Sequence, residues 1–423
     1  MLDIKLIREN PDAVKSGLAR RDPTLAEAVD RIRKLDEGRR RIIVETEALK
    51  NRRNVVSKEI GQLKSKGQDA SAPATAMKKV GDEIAALDQK LREADGAVHR
   101  ELLMLPNIPH ESVSGGGASA NSEVRKWGKK PKFDFKPKAH WELGEKLGIL
   151  DLKGAAKISG SGFICFRKDG ARLERALIQL MLDVHARDHG YTEISPPFLI
   201  NEASMIGTGQ LPKFAVEMYG LKDDPLYLAP TAEVPLTNLH REEILKEEQL
   251  PIRYCAYTPC FRREAGSAGK DTRGMIRVHQ FDKVELVKIV RPDNSYDELE
   301  KLLLNAETIL HVLNLHYRVV LLGGGDMGFG AAKCYDIEVW CPGVDGFLEV
   351  SSCSNFEAFQ ARRMNLRYKG ADGKNHFCHT LNGSGTALAR LFIALIENGQ
   401  QADGTIILPE ALEPYWGEDL TIR

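Results

Sequence analysis

A seven-residue repeat near the N-terminus constrains the fold of this chain more than any other feature. The repeat is apolar and occupies Leu35, Ile42, Leu49, Val56 and Leu63. A second apolar run follows, with alternating spacings of three and four: Met77, Val80, Ile84, Leu87, Leu91, Ala94 and Val98. Between the runs, residues 64–75 contain Gly, Ser and Pro, which interrupt helices. We therefore predict an antiparallel hairpin of two long helices within residues 1–105, the first about 60 Å long at roughly 1.5 Å per residue.

The first predicted helix carries an excess of positive charge. Residues 31–53 contain nine Lys and Arg against four acids, although the whole chain balances 60 basic with 60 acidic residues. Arg39 and Arg53 occupy seam positions that an apolar residue would fill in a simple zipper. A phosphate backbone attracts a stripe of this kind. The candidates for such contacts are Arg31, Arg39, Arg40, Arg41, Arg52 and Arg53. An oligomerisation coiled coil and a solvated charged face are the alternatives.

Composition and cysteine usage indicate a multidomain protein of a reducing compartment. A chain of 423 residues is long for one domain. Its seven cysteines are odd in number and form no CxxC pair, so we expect reduced thiols and no structural zinc. The first residues lack the apolar segment of a signal peptide, and no apolar run approaches the roughly 20 residues that span a bilayer. We therefore expect a soluble, cytoplasmic protein with no membrane partner.

Beyond the hairpin the sequence changes character. Residues 106–137 are rich in Pro, Gly and Ser and predict a connector. Residues 138–423 then show period-two alternation, and several alternating segments follow one another without a helix between them. This order favours an antiparallel sheet over a doubly wound one, and therefore an α+β domain. The predicted strands are 226–231, 252–264, 275–290, 316–323, 333–341 and 347–355, and the predicted helices are 172–189, 295–313 and 386–398.

Two of these strands carry residues suited to a nucleotide site. Arg262 and Glu264 are two apart and should share a strand face, as should Phe281 and Glu285, which are four apart. The loop 265–274 between the strands is basic enough to touch phosphates. An arginine offers a planar fork for carboxylate and phosphate oxygens, and a phenylalanine offers a face on which a base can stack. The pattern therefore predicts an ATP-activating site, with a surface ion pair as the alternative for the arginine.

The segment 261–285 resembles motif 2 of the class II aminoacyl-tRNA synthetases, and three further segments are similar to seryl-tRNA synthetases in particular. They are LAPTAEVPLTN at 228–238, EVSSCSN at 349–355 and HTLNGSGTALAR at 379–390. The resemblance covers essentially the whole chain. It implies a class II catalytic domain in residues 138–423, built on an antiparallel sheet flanked by helices, and a tRNA-binding arm domain in residues 1–105.

The resemblance also assigns roles around ATP. It implies that Arg262 bridges the serine carboxylate and the α-phosphate, that Glu264 holds the adenine end, and that Phe281 and Arg390 cover the two adenine faces. Arg262, Glu264 and Arg390 are thus the expected catalytic residues. The full predicted ATP-binding set is Arg262, Arg263, Glu264, Val278, Phe281, Glu349, Val350, Ser351, Ser352 and Arg390.

Glu349, with Ser351 or Ser352, resembles the magnesium-bearing element of the family. Mg²⁺ prefers carboxylate and hydroxyl oxygens. Simple alternation places Glu349 and Ser351 on one face, whereas Ser352, which the family pattern favours, requires a bulge or twist. The resemblance therefore implies Mg²⁺ as the cofactor, with Glu349 and Ser352 as its expected ligands.

Serine recognition requires polar groups in a small pocket. The set that the resemblance implies is Thr231, Ala232, Glu233, Arg262, Glu285, Asn382 and Ser384. Glu285 is placed to meet the serine ammonium, its hydroxyl or both. A pocket built to bond a hydroxyl rejects alanine strongly, because its own polar groups would be left unpaired. For Asn382 and Ser384 the alternative is turn formation in the segment NGSG.

The activity implied by the resemblance is the activation of serine with ATP, followed by transfer to tRNA(Ser). Pro196 and Pro197 resemble motif 1 of the class, which lies at the dimer interface, so a homodimer is implied as well. Family members commonly charge selenocysteine tRNA too, and these residues carry no signal for or against it.

Two alternatives to this activity are a carrier-protein aminoacylating ligase and a catalytically silent paralogue that binds nucleic acid. The arm argues against the first, because those ligases lack a comparable one. The second is disfavoured by the presence of Arg262, Glu264, Glu285, Glu349 and Arg390.

Overall fold

The structure is a computed structural model and describes residues 1–266 and 273–423. It divides into two compact units, which we call the arm unit (Leu2–Pro106) and the sheet unit (Asn107–Arg423, with Met1). Of the predicted basic loop 265–274, residues 267–272 lie outside the described part of the chain.

The arm unit confirms the predicted helical hairpin. Its helices are α1 (Ile4–Glu9), α2 (Pro11–Ala19), α3 (Leu25–Ser65) and α4 (Ser71–Met104). The 41 residues of α3 correspond to about 60 Å of helix. α3 and α4 pack along each other, with Val80, Ile84 and Leu87 of α4 buried. Lys50 pairs with Asp88 across the two helices at 2.9 Å.

The seven-residue repeat does not mark the most buried positions of α3, since its members after Leu35 (Ile42, Leu49, Val56 and Leu63) are only half-buried. Leu35 is 37% exposed, whereas Val29, Ile32 and Asp36 are buried. Near its start α3 packs against α2 as well as α4, so its buried face follows steps of three and four residues there. The carboxylate of Asp36 is stabilised inside by the guanidinium of Arg8 at 2.8 Å. The strict repeat therefore overestimates the burial of Leu35.

The sheet unit contains nine α-helices and fifteen strands among its described residues. The helices are α5 (His140–Lys146), α6 (Leu152–Ser159), α7 (Asp169–Asp183), α8 (Glu202–Thr208), α9 (Glu233–Asn238), α10 (Ser295–Val312), α11 (Phe359–Met364), α12 (Leu388–Asn398) and α13 (Glu413–Trp416). The strands are β1 (Ser122–Trp127), β2 (Thr192–Glu193), β3 (Leu199–Asn201), β4 (Leu226–Leu228), β5 (Ile244–Lys246), β6 (Ile252–Phe261), β7 (Gln280–Val290), β8 (Tyr317–Leu321), β9 (Lys333–Cys341), β10 (Gly346–Asn355), β11 (Arg367–Lys369), β12 (Asn375–Phe377), β13 (His379–Ala387), β14 (Ile406–Ile407) and β15 (Thr421–Ile422).

An eight-stranded sheet forms the frame of this unit and confirms the predicted α+β architecture. Its order is β1-β8-β9-β10-β13-β7-β6-β2, and all neighbours are antiparallel except β2 and β6. α7, α10 and α12 pack against the sheet and bury Leu177, Leu302 and Phe392 in its main core. Strand β1 lies within the predicted connector 106–137 and forms one edge of the sheet.

Two central strands are shorter than predicted. β6 ends at Phe261 rather than at Glu264, and β7 begins at Gln280 rather than at Met275. Glu264 has a φ of +49°, which is outside the extended region, so the chain turns before the predicted strand end. β9 has the predicted bounds, Lys333–Cys341.

Within the described ranges, no helix combines the length and the apolarity that crossing a membrane requires. The seven cysteines are all free thiols, and six of them are buried.

Candidate active site

A cavity of about 430 Å³ lies in the sheet unit and brings together most of the residues predicted from sequence. The predicted residues that line it are Thr231, Glu233, Arg262, Glu264, Val278, Phe281, Glu349, Ser352, Asn382, Ser384 and Arg390. Those outside its lining are Ala232, Arg263, Glu285, Val350 and Ser351.

Arg262 reaches this cavity just beyond the end of β6. Its backbone N–H donates to the carbonyl of His279 at 2.9 Å, which keeps the two chain segments paired past the strand. Its Nε donates to the carbonyl of Pro230 at 3.3 Å, and the guanidinium carbon lies 5.3 Å from the centre of the Phe281 ring. A planar cation and an aromatic face therefore share one wall of the cavity.

Glu264 lines the cavity for a different reason from the one predicted. Strand alternation does not apply, because β6 ends at Phe261 and Glu264 adopts a positive φ. Its carboxylate Oε2 accepts a 2.5 Å hydrogen bond from Nη1 of Arg277. The intervening Arg263 is outside the lining, and its backbone N–H donates to the carbonyl of Glu217 at 2.9 Å.

Arg390, in the first turn of α12, ties that helix to β10. Its Nη1 donates to the carbonyl oxygen of Glu349 at 2.8 Å and to Oε2 of the same residue at 3.0 Å. Its Nε donates to the carbonyl of Ile276 at 3.2 Å. A cation that binds the Glu349 carboxylate would therefore compete with the Arg390 guanidinium.

A bulge decides which serine of β10 faces the cavity. The pairing of β10 with β9 shifts register between Glu349 and Ser351, so two neighbouring serines exchange faces relative to simple alternation. Ser352 lines the cavity with Glu349, whereas the Ser351 hydroxyl donates to the carbonyl of Ser384 at 2.6 Å. Glu349 and Ser352 supply a carboxylate and a hydroxyl on one wall. Such donors fit Mg²⁺, which commonly takes one or two carboxylates and completes its shell with phosphates and water.

Asp336 of β9 lies opposite Ser352 and was not singled out from the sequence. Burial, and then the nearby charge of Glu349, raise the pKa of the Asp336 carboxyl to about 8. A cation bound nearby would oppose this rise and favour the ionised form of the carboxyl. Only the pairing of β9 with β10 brings it to this place, since 16 positions separate it from Ser352.

Glu285 lies outside the cavity lining, and its carboxylate accepts hydrogen bonds from two residues that line the cavity. It is fully buried. Its Oε1 accepts from the amide of Asn382 at 3.0 Å, and its Oε2 accepts from the hydroxyl of Thr231 at 3.3 Å. Lys283 forms an ion pair with the same carboxylate and donates to the Thr231 hydroxyl at 2.9 Å. The groups that face the cavity here are thus Thr231, Lys283 and Asn382, held in place by Glu285.

Lys283 was missed by the sequence analysis, although a signal for it existed. It lies two positions from both Phe281 and Glu285 on β7, so period-two alternation places it on their face.

Glu233 completes the polar lining. It is 7% exposed, and its Oε1 accepts from the side-chain amide of Gln360 at 2.6 Å. Burial, and then the charge of Glu285, raise the pKa of Glu233 to about 7. This carboxyl is therefore poised to change its charge near neutral pH.

The basic residues predicted to contact tRNA divide into two groups on α3. Arg31, Arg40, Arg41, Arg52 and Arg53 are exposed. Arg39 is half-buried and pairs with Asp36 at 2.9 Å and with Asp95 of α4 at 3.3 Å. Arg39 therefore links α3 to α4 through an ion pair, and its guanidinium is already engaged.

Comparisons with known proteins agree with this architecture. Two family models match: the seryl-tRNA synthetase N-terminal domain over residues 1–109 and the tRNA synthetase class II core domain (G, H, P, S and T) over residues 214–399. A serine–tRNA ligase of Methylacidiphilum infernorum (isolate V4) is 56% identical over 99% of this chain and 100% of its own length.

Solved structures are similar over the full length. The crystal structure of seryl-tRNA synthetase from Pyrococcus horikoshii complexed with ATP is 39% identical, with a TM-score of 0.94, and covers 100% of this chain and 99% of that one. A cytoplasmic serine–tRNA ligase from Naegleria fowleri in complex with AMP is 30% identical, with a TM-score of 0.88 and the same coverage. Identity at this level over both units shows that the chain belongs to the seryl-tRNA synthetase family of class II aminoacyl-tRNA synthetases.

Proposed function

We infer that the chain works as a serine–tRNA ligase. It activates serine with ATP to seryl-adenylate and pyrophosphate, and it then transfers the seryl group to the terminal ribose of tRNA(Ser). The observation that carries this function is the single cavity in which Arg262, Phe281, Glu349 and Arg390 meet the polar group around Glu285. The two arginines, the aromatic ring and the Glu349 carboxylate suit a nucleotide. The polar side chains around Glu285 suit a small amino acid.

Catalysis of the first step depends on positioning and charge. The serine carboxylate attacks the α-phosphate, and the developing charge needs stabilisation in a site that holds both reactants. Arg262 bridges the serine carboxylate and the α-phosphate with its planar fork. The adenine stacks on Phe281, Arg390 covers its other face, and Glu264 accepts hydrogen bonds from its amino edge. Val278 and Arg263 contribute backbone contacts beside it.

Glu349 and Ser352 would hold Mg²⁺ with the ATP phosphates. The ion supplies charge neutralisation to the phosphate oxygens when it is bound. Both donors lie on the cavity wall, and Val350 and Ser351 shape the bulge that presents them. Glu349 would hold the ion with the carboxylate that Arg390 contacts here, so Arg390 would then be available to cover the nucleotide.

Four cavity-lining residues, Thr231, Glu233, Asn382 and Ser384, form the serine pocket, and Ala232 and Glu285 support it from outside the lining. Thr231 and Asn382 present hydrogen-bonding groups that Glu285 orients, and Ser384 lines the cavity beside them. Alanine leaves these groups unpaired, and the small volume excludes larger side chains.

The proposed organisation assigns tRNA binding to the arm. Residues 1–105 form the tRNA-binding helical arm, residues 106–137 connect it, and residues 138–423 form the catalytic aminoacylation domain. The exposed Arg31, Arg40, Arg41, Arg52 and Arg53 supply phosphate contacts, with Arg39 in support. The protein works as a homodimer in the cytoplasm.

The test is amino-acid-dependent exchange of pyrophosphate into ATP, followed by charging of tRNA. Exchange with serine, but not with alanine or threonine, and subsequent seryl-tRNA formation are expected. Exchange without tRNA charging would favour a carrier-protein ligase, and tRNA binding without exchange would favour a silent paralogue.

A further inference from the structure

Lys283 is a buried cation that the proposed mechanism does not use. It lies on β7 between Phe281 and Glu285, and its side chain is 6% exposed. Its ammonium donates to the hydroxyl of Thr231 at 2.9 Å and pairs with Glu285. Burial of an ammonium is costly unless its charge is matched. The ion pair with Glu285 provides that match, so the charge of Lys283 is tied to the charge of this carboxylate.

Two buried carboxylates share this pocket with Lys283. Both oxygens of Glu285 are engaged, one by Asn382 and the other by Thr231 and Lys283. Glu233, by contrast, makes no ion pair within the described residues.

Among the described residues, the charged groups with an electrostatic effect on Glu233 are Glu285 and Lys283 on β7 and Arg262 just past β6; Gln360 of α11 faces it as a neutral donor. The pocket can thus accept one more positive charge beside Glu233, and the α-ammonium of an amino acid supplies one.

We propose that Lys283 sets the charge of the serine pocket: it neutralises Glu285 and thereby leaves Glu233 to exchange a proton for the ammonium of the incoming amino acid. The inference rests on the proposed function, which provides the ammonium-bearing substrate. The exchange changes one covalent bond, the O–H bond of the Glu233 carboxyl, and its proton passes to solvent. The serine ammonium keeps its own protons and pairs with the carboxylate that remains.

The charges around Glu233 determine whether serine affinity rises or falls with pH. Burial and the charge of Glu285 raise the pKa of Glu233 to about 7, while Gln360, Lys283 and Arg262 oppose that rise. An ammonium bound beside Glu233 favours the ionised carboxylate. Binding therefore releases a proton wherever the free pocket holds one, and serine affinity increases with pH through about 7 and levels off above it.

Isothermal titration of serine into the full-length protein tests the exchange. Titrations at one pH in buffers of different ionisation enthalpy count the protons released. Release should be about three-quarters of a proton per site at pH 6.5 and about one-tenth at pH 8, which are the protonated fractions of a group with a pKa of about 7. Serine binding without proton release at pH 6.5 would overturn the proposal.

Variants of Lys283 separate a charge role from a packing role. Lys283→Met removes a cation that lowers the pKa of Glu233, so release at pH 8 should grow from about one-tenth of a proton towards one. The KM for serine should rise at least about tenfold, with the affinity for ATP changed less than about twofold. Lys283→Arg keeps the charge and should restore most of the pH profile. A Met variant with the parental pH profile would contradict a charge role.

Glu233→Gln identifies the group that loses the proton. This variant should bind serine more weakly and release no proton at any pH between 6 and 8, and undiminished release would overturn the proposal. ATP titration checks that each variant is folded. If Lys283→Met does not fold, proton release by the parent protein and by Glu233→Gln still tests the proposal. A parent protein with no serine binding and no serine-dependent exchange would instead contradict the proposed function itself.

Discussion

The side-chain amide of Asn107 donates a 3.0 Å hydrogen bond to the carbonyl oxygen of Gly330 in the wall of the cavity. The same amide donates to the carbonyl of Phe356 at 2.9 Å, and the backbone N–H of Asn107 donates to the carbonyl of Phe329 at 3.0 Å. Gly330, Phe329 and Phe356 all line the cavity. Asn107 begins the sheet unit, so the segment predicted to be a connector positions part of the cavity wall.

Asn107→Ala should weaken both stability and substrate positioning. Asn107 is 4% exposed, and its removal takes the side-chain donor from the buried carbonyls of Gly330 and Phe356, the second of which keeps the backbone N–H of Phe359 at 3.1 Å. The expected cost is about 1–3 kcal/mol in the free energy of unfolding. Denaturant titration measures that cost, and pyrophosphate exchange should show a raised KM for serine. Asn121→Ala is the control, because Asn121 contacts Gly323 and Asp326 of the adjoining loop at more exposed positions. Equal kinetic effects in both variants would exclude a specific role for Asn107.

Arg262→Ala should remove a partner of the transition-state charge. We expect a loss of about 3–5 kcal/mol of activation free energy in serine-dependent exchange, because the proposed function has the planar fork contact both reacting groups. Arg263→Ala is a matched control one position along the chain, since Arg263 is outside the cavity lining. A folded Arg262→Ala enzyme with exchange within about tenfold of the parent would contradict the assigned role.

Ser352→Ala and Ser351→Ala should affect different properties: the first the Mg²⁺ dependence of exchange, and the second the stability of the protein. Ser352 faces the cavity with Glu349, so its loss should raise the Mg²⁺ concentration that half-maximal exchange requires. Ser351 bonds the carbonyl of Ser384, so its loss should lower stability by about 1–3 kcal/mol with little change in Mg²⁺ dependence. Exchange assays over a range of Mg²⁺ concentrations, together with thermal unfolding, distinguish the two. The reverse pattern would assign the metal to Ser351.

Substitution of Arg40, Arg41, Arg52 and Arg53 by Gln should weaken tRNA binding without affecting serine activation. These residues are exposed on α3. Removal of each arginine–phosphate ion pair should flatten the log–log salt dependence of binding by up to about one unit. The control replaces Lys78, Lys79, Lys90 and Arg92, which are exposed on α4 and carry the same total charge.

Filter binding of tRNA at several salt concentrations, with sedimentation of both variants, completes the arm test. Equally weakened binding in the two variants would indicate non-specific attraction. Normal charging with altered oligomeric state would favour an oligomerisation coiled coil.

The kind and order of the main elements were determined by the sequence alone. A seven-residue apolar repeat predicts paired helices, and period-two alternation without intervening helices predicts an antiparallel sheet, because both patterns express burial of one face of a local element. The hairpin of α3 and α4 and the bounds of β9 follow from these local rules. Eleven of the residues that line the cavity were predictable as well, through the resemblance of short segments to a known family.

Tertiary structure decided the details that depend on partners distant in the chain. The register shift of β10 against β9 selects Ser352 over Ser351, and packing of α2 on α3 leaves Leu35 exposed. The raised pKa of Glu233 requires burial by elements from elsewhere in the chain. Asn107 meets Gly330 across 223 positions of sequence. Registers, desolvation and such long-range hydrogen bonds arise only when separate elements pack, so no local pattern encodes them.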